Sequence, residues 1–278
     1  MVTNAFENCA RLIADADGLL ITAGAGLGVD SGLPDFRGSE GMWRAYPALG
    51  KAGMHFQEIA NPAAFIARPR LAWGFYGHRL DLYRRTAPGP AFGMLLDIAR
   101  HLPDGAFVFT SNVDGQFQKA GFDAQRIVEC HGSIHHLQCM NACDGRIWSA
   151  DGFQPEIDVD ACELTNALPS CPGCGGLARP NILMFGDWDW IERRAQAQQT
   201  RLAAWQRRVD RLLVIEIGAG TAVPSVRLFG EHLGVPIIRI NLREAGTAHE
   251  PGVSLPLTAT EALLGITRAL REAGFPMG

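Results

Sequence analysis

The stretch "GLLITAGAGLGVDSGLPDFRG" (residues 18–38) decides the fold. Its first six residues are apolar with no charge, as in a strand buried on both faces. The chain then leaves through "GAGLGVDSGLPDFRG" (24–38), which packs five glycines and one proline into fifteen residues. Gly24 and Gly26 permit close backbone approach and would point N–H groups at a phosphate. The ordinary dinucleotide fingerprint G-x-G-x-x-G requires glycine at position 29, where this chain has Val29. Phosphate cradle and plain strand-to-helix turn therefore both stand at this point. Arg37 offers a planar fork suited to phosphate or carboxylate. Asp35 could hold that arginine or a ribose hydroxyl, and the alternative is a surface Asp/Arg pair.

Outward from this loop the pattern repeats. "GAFVFTSNVDG" (105–115), "QRIVECHGS" (125–133), "RPNILMFGD" (179–187), "RLLVIEIGAG" (211–220) and "VPIIRIN" (235–241) read as further strands. Helical periodicity falls between them, over 4–16 with an Asn4 cap, 62–85 in two pieces started by Pro62 and Pro69, 91–100, 190–210 and 258–274. Alternating strands and helices predict a doubly wound α/β parallel sheet with ligands at the strand C-termini. Residues 139–178, rich in Gly, Pro, Asp and Cys, would be an insertion.

Composition narrows the classes. The chain has 278 residues, 47% hydrophobic, with a net charge of -4. That supports a large core and gives no reason to expect nucleic-acid binding. No apolar run approaches the ~20 residues of a membrane span. "MVTNAFENCA" lacks a basic start and an apolar signal core, so a cytoplasmic protein is the expectation. The seven cysteines are an odd number for a disulfide scaffold. Cys139-x3-Cys143 and Cys171-x2-Cys174 have the spacing of a zinc ribbon with four thiolates, which leaves no open position for catalysis. Cys9, Cys130 and Cys162 read as ordinary thiols.

Two more strand-end turns, at 110–115 and 130–133, carry polar residues. Asn112 and Asp114 fit one site as neighbours, or an Asx turn capping the next helix. His131, before a glycine, is a structural histidine or a general base. In a parallel sheet these turns and the 24–28 turn converge on one crevice.

In order and spacing, "GAGLGVDSGLPDFRG", "TSNVDGQFQKAG" (110–121), "HGS" (131–133), the two cysteine pairs, "RPNILMFGD", "EIGAGTAVP" (216–224) and "IN" (240–241) resemble the sirtuin family over nearly the whole chain. The resemblance implies a Rossmann-like NAD domain from residues 1–38, 91–138 and 179–278. It also implies a smaller domain from a helical part (39–90) and a zinc ribbon (139–178) holding one structural Zn2+. The implied activity is NAD-dependent removal of acyl groups from lysine on a protein or peptide, giving nicotinamide and O-acyl-ADP-ribose. By the same resemblance Gly24, Ala25, Gly26 and Arg37 would hold NAD phosphates and ribose, Asp35 would lie near the nicotinamide pocket, and Phe36 would also bind the cofactor. Ser111, Asn112 and Asp114 would lie at the nicotinamide end, with Gly218, Thr221 and Asn241 on the adenosine side. The acyl oxygen would attack the ribose carbon as nicotinamide leaves, and His131 would then take a proton from a ribose hydroxyl. Substrate would pair by backbone with the segment at Phe185 and Gly186, and an apolar channel around Phe185 and Trp188 would exclude water.

Tyr76 and Arg79 in "WGFYGHR" stand at i and i+3 on one helix face. They resemble the Tyr-x-x-Arg pair of sirtuins that remove succinyl or malonyl groups, with Arg79 forking onto the acyl carboxylate. The alternative is a packed tyrosine beside a snorkelling arginine. The chain departs from the family at several positions. Gln116-Phe117 stand for Leu-His, Gly28 for serine, Ser111 for glutamine, and "FGDWDW" (185–190) for the usual substrate-side loop. "QFQKAG" also resembles divergent sirtuin-like ADP-ribosyltransferases, which tend to lose the histidine retained here. A non-catalytic NAD-sensing or zinc-ribbon interaction protein is the third reading.

Overall fold

A computed structural model describes residues 2–34, 39–247 and 251–277. Its main sheet has six strands: β1 (Gly18–Ala23), β2 (Gly105–Thr110), β3 (Ile127–Glu129), β4 (Leu212–Ile217), β5 (Ile237–Ile240) and β6 (Gly252–Leu255). All pairings are parallel, in the order β6-β5-β4-β1-β2-β3. This is the 3-2-1-4-5-6 arrangement, whose order reverses between β1 and β4 and opens a crevice at their C-terminal ends.

Strand alternation builds two cores. Leu19, Ile21, Val108, Ile215 and Ile238 face the helices Val2–Ala14, Pro90–Arg100 and Ala259–Glu272. Leu20, Phe107, Phe109 and Val214 face the other way, onto Leu202 and Trp205 of the Arg193–Gln206 helix and Val226 of the Ser225–His232 helix. Each fully buried aliphatic side chain contributes about 1.5–3 kcal/mol. The first helix begins at Val2, so Asn4 is not its cap; its Oδ1 instead accepts from Asn8 Nδ2 inside the helix. The periodic stretch at 190–210 forms a helix only over Arg193–Gln206.

A second layer has its own core. Helices Pro62–Ala67 and Pro69–Arg85 begin at the two prolines, the first capped by Asn61 Oδ1 accepting from Ala63 N at 2.8 Å. They pack Phe65, Trp73, Phe75 and Tyr76 over an antiparallel sheet ordered Ile147–Ser149, Gly132–Cys139, Ala178–Ile182. Trp73 Nε1 donates to Ala178 O at 3.0 Å and joins helix to sheet.

The chain passes between the two layers at two paired places. Gly89 N donates to Ser31 Oγ at 2.9 Å. Leu183 N donates to His131 O, also at 2.9 Å.

Candidate functional site

The glycine turn folds differently from the open loop expected over residues 24–38. Ala25–Val29 is a short helix with Gly24 as its N-cap. Gly24 N donates to Ile217 O at 2.9 Å and Gly26 N to Gly218 O at 3.1 Å. These two N–H groups therefore face β4 and not a ligand, which corrects the phosphate-pointing role. The glycines serve backbone contact. A Cβ on Gly26 would lie 2.7 Å from Gly218 Cα, and one on Gly218 2.5 Å from Leu27 N. Gly218 also has φ +62°, which L side chains rarely adopt. Asp35, Phe36 and Arg37 lie outside the described residues.

The end of β2 is tied to the same turn. Thr110 Oγ1 donates to Ala23 O at 2.9 Å and accepts from Asn112 N at 3.0 Å. Asn112 Nδ2 donates to Gly24 O at 3.0 Å, and Ser111 N donates to Ala23 O at 3.2 Å. Asp114 Oδ1 accepts from Gln116 N at 2.9 Å, so the helix-capping turn is real. Its carboxyl is buried, and that burial pushes it up to about 6 against a partial pull from Arg79. A Cβ on Gly28 would stand 3.7 Å from Asp114 Oδ2, so the short helix passes directly over this carboxyl.

His131 follows β3. Cys130 N donates to Thr110 O at 2.9 Å, which holds the turn against β2. His131 Nε2 lies 3.3 Å from Ser225 Oγ, a partner supplied from after β4. Burial lowers the imidazole below its ordinary value, so the ring is neutral near pH 7. Gly132 has φ +77°, and a Cβ there would collide with Asn181 O. The histidine thus sits where the chain leaves the parallel sheet for the antiparallel one.

On the β4–β5 side Thr221 donates from N and Oγ1 to Glu244, at 3.0 and 2.7 Å. Asn241 Nδ2 donates to Ala219 O at 2.7 Å, while its Oδ1 accepts from Arg243 N and Glu244 N at 3.0 Å each. Its side chain joins the loops that follow β4 and β5. Glu244 and Ser225 carry no sequence signal, because their partners come from distant segments.

The substrate-side segment is anchored from beneath. Phe185 N donates to Ala60 O at 2.9 Å, and the Phe185 ring meets Phe56 edge-on at 6.0 Å. Asp187 forks onto buried Arg179 through two bonds of 2.7 Å and accepts from Met184 N at 3.2 Å. That ion pair explains the aspartate of "FGDWDW". Gly186 is exposed. Trp188 is 95% exposed, which corrects its expected place in an apolar channel; the ring packed on Phe185 is Phe56. The turn holds position 188 outside the Asp187 anchor.

Tyr76 and Arg79 lie on the Pro69–Arg85 helix, and both are buried. The Tyr76 ring stacks on Phe65 at 5.5 Å. The Arg79 guanidinium lies 5.2 to 5.7 Å from the ring centres of Phe75, Tyr76 and Tyr83. It does not snorkel to solvent.

In the ribbon the four sulfur atoms of Cys139, Cys143, Cys171 and Cys174 lie within 4.8 Å of one another. Cys139 to Cys174 is 3.6 Å and Cys143 to Cys171 is 3.7 Å. A tetrahedron of Zn–S bonds of ~2.3 Å has edges of ~3.8 Å, so the thiols fit Zn2+. They are too far apart for a disulfide. Gly173 N points at Cys171 Sγ from 3.4 Å, as a metal knuckle requires.

These features define a doubly wound α/β protein whose crevice lies beside an appended ribbon layer. The Sir2 family profile matches residues 24–224, and the chain belongs to that family. A Pyrococcus furiosus NAD-dependent protein deacylase is 31% identical over 265 residues, covering 95% of this chain and 97% of its own. The Thermococcus kodakarensis NAD-dependent protein deacylase is 29% identical over 267 residues, covering 95% of each. The solved structure of a Sir2 homologue with NAD has a TM-score of 0.71 at 27% identity, covering 96% of this chain and 94% of that one. Another Sir2 homologue, solved with ADP-ribose, also has a TM-score of 0.71, at 26% identity over 98% and 99% of the two chains. Among the described residues no helix is long and apolar enough to cross a membrane.

Proposed function

We propose that the chain removes acyl groups from protein lysine with NAD as co-substrate, releasing nicotinamide and O-acyl-ADP-ribose. The observation that carries this reading is the placement of Asn112, Asp114 and His131 just after β2 and β3, with Asn112 Nδ2 bonded to Gly24 O in the glycine turn of β1 and the His131 turn tied to β2 through Cys130 N and Thr110 O. The deacylase relatives and the Sir2–NAD complex support it. NAD supplies an electrophilic ribose carbon and a leaving group. Asn112 and Asp114 orient the nicotinamide end. His131, neutral and backed by Ser225, accepts a ribose-hydroxyl proton at a ring nitrogen. Gly218, Thr221 and Asn241 face the adenosine end, and the segment at Phe185 and Gly186 pairs with the acyl-lysine strand. The zinc ribbon keeps that segment's strand in place and takes no part in proton transfer.

Arg79 extends the reading to acyl groups that end in a carboxylate. Its guanidinium donates to Tyr83 Oη among the rings of Phe75, Tyr76 and Tyr83, on the helix that carries the Tyr-x-x-Arg pair. Tyr76, packed beside it, would shape the wall of the acyl pocket.

The test incubates the zinc-loaded protein with NAD and acetyl- or succinyl-lysine peptide. Nicotinamide release should require peptide, and His131→Ala should lower turnover by about 10²–10⁴-fold while NAD still binds. The acid limb of the pH profile should fall below 6.5, because burial depresses the imidazole and a base works only when neutral. Nicotinamide release without peptide, or stable transfer of labelled ADP-ribose to protein, would overturn the reading in favour of NAD hydrolysis or ADP-ribosyl transfer.

A further inference from the structure

We propose that Arg227 is a positioning residue for the adenosine half of the co-substrate: its guanidinium clips together the loops that follow β4 and β5. This rests on the NAD reading above.

The clip is a single nitrogen. Arg227, on the Ser225–His232 helix, donates from Nη2 to Ala219 O at 3.1 Å and to Glu244 O at 2.7 Å. Ala219 follows β4 and Glu244 follows β5. Ala219 O also accepts from Asn241 Nδ2, and the Glu244 carboxylate holds Thr221 through N and Oγ1. Arg227, Ala219, Thr221 and Glu244 thus form a closed circuit through both loops, the ones to which Gly218, Thr221 and Asn241 belong.

Arg227 is itself aimed by a buried charge. Its Nη2 lies 3.5 Å from Oε1 of Glu216, which is fully buried on β4. Arg239 of β5 pairs with the same carboxylate, Nε to Oε1 at 2.7 Å, and reaches Glu231 at 2.6 Å and Gly246 O. A carboxylate out of water needs a partner, and here one carboxylate serves two arginines. Because Arg239 alone still neutralises Glu216, removal of Arg227 leaves no unpaired buried acid. What it removes is the tie between the loops. Loops already held together lose little freedom when a ligand settles on them, and untied loops lose more. The expected loss therefore falls on co-substrate binding and not on turnover at saturation.

The experiment compares wild type and Arg227→Met, both zinc-loaded. Calorimetry reads NAD and ADP-ribose, and turnover of acetyl-lysine peptide reads kcat and both KM values. Arg227→Met should raise the Kd of NAD and of ADP-ribose by the same factor, about tenfold, because the two share the adenosine half. KM for NAD should rise alike, with kcat at saturating NAD and peptide KM within about twofold of wild type. Unchanged affinity overturns the inference. So does a fall in kcat or a rise in peptide KM as large as the loss of NAD affinity, which would mark a general loosening of the fold. If Arg227→Met does not fold, Arg227→Gln takes its place and is read in the same way. If wild type binds NAD without deacylating peptide, calorimetry alone decides the inference. If wild type binds neither NAD nor ADP-ribose, the NAD reading fails and this inference with it.

Discussion

The crevice between β1 and β4 and the aromatic cluster of the helical layer are built in opposite ways. At the crevice, backbone touches backbone. Gly26 and Gly218 meet without side chains, and Asn112 binds a main-chain carbonyl. In the helical layer, position is set by side chains: Tyr76 on Phe65, Arg79 on Tyr83, Asp187 on Arg179. Backbone construction suits a co-substrate whose shape never varies. Side-chain construction can be altered residue by residue, which suits the part proposed here to choose among acyl groups.

Four experiments can break or sharpen that contrast. The largest effect should follow metal removal. A structural Zn2+ site in an isolated finger is worth on the order of 10 kcal/mol, so chelation or Cys171→Ser should melt the ribbon. Circular dichroism and peptide turnover should both show the loss, while calorimetry should still detect NAD at the sheet. Simultaneous loss of NAD binding would mean that the halves are not separate in construction. Next comes Gly218→Ala, which adds a Cβ 2.5 Å from Leu27 N at φ +62°. It should lower stability by on the order of 2–5 kcal/mol and weaken NAD binding, read by denaturant melts and titration. A variant with wild-type stability and affinity would break the backbone half of the contrast.

Asp114→Asn tests a buried charge. The folded carboxyl sits near 6, raised above its unfolded value, so the fold favours the protonated form. The stability this contributes is complete below the unfolded value and is lost as pH rises through about 6. The asparagine variant should therefore exceed wild type by on the order of 2–3 kcal/mol at pH 8 and by almost nothing at pH 4, with lower turnover. Equal stability at both pH values would show that the ionised aspartate is fully compensated. The smallest effect belongs to Trp188→Ala. This exposed side chain should change stability by less than about 0.5 kcal/mol, with peptide KM raised ~5-fold if the indole contacts substrate. An unchanged KM would confine substrate pairing to the segment at Phe185 and Gly186.

The same contrast governs what the sequence discloses. Apolar runs such as Leu19–Ile21 and Leu212–Ile215 announce parallel strands, and glycine or asparagine after the strand announces the crevice. Pro62, Pro69 and the cysteine spacings are equally local signals. The Gly252–Leu255 strand escapes, because four residues between prolines have no measurable period. Trp188 reads as a wall residue until the Arg179–Asp187 pair turns it outward. Ser225, Glu244 and Arg227 act through partners that only folding brings near.

The paired crossings at Ser31–Gly89 and His131–Leu183 have a mechanical consequence. They hold the junction from both sides, and Ile134 N donating to Val113 O at 3.0 Å and His135 Nε2 meeting Asp114 O at 2.9 Å add ties beside it. With its carbonyl bonded to Leu183 N and its ring beside Ser225 Oγ, the residue proposed as the proton acceptor is clamped from both layers.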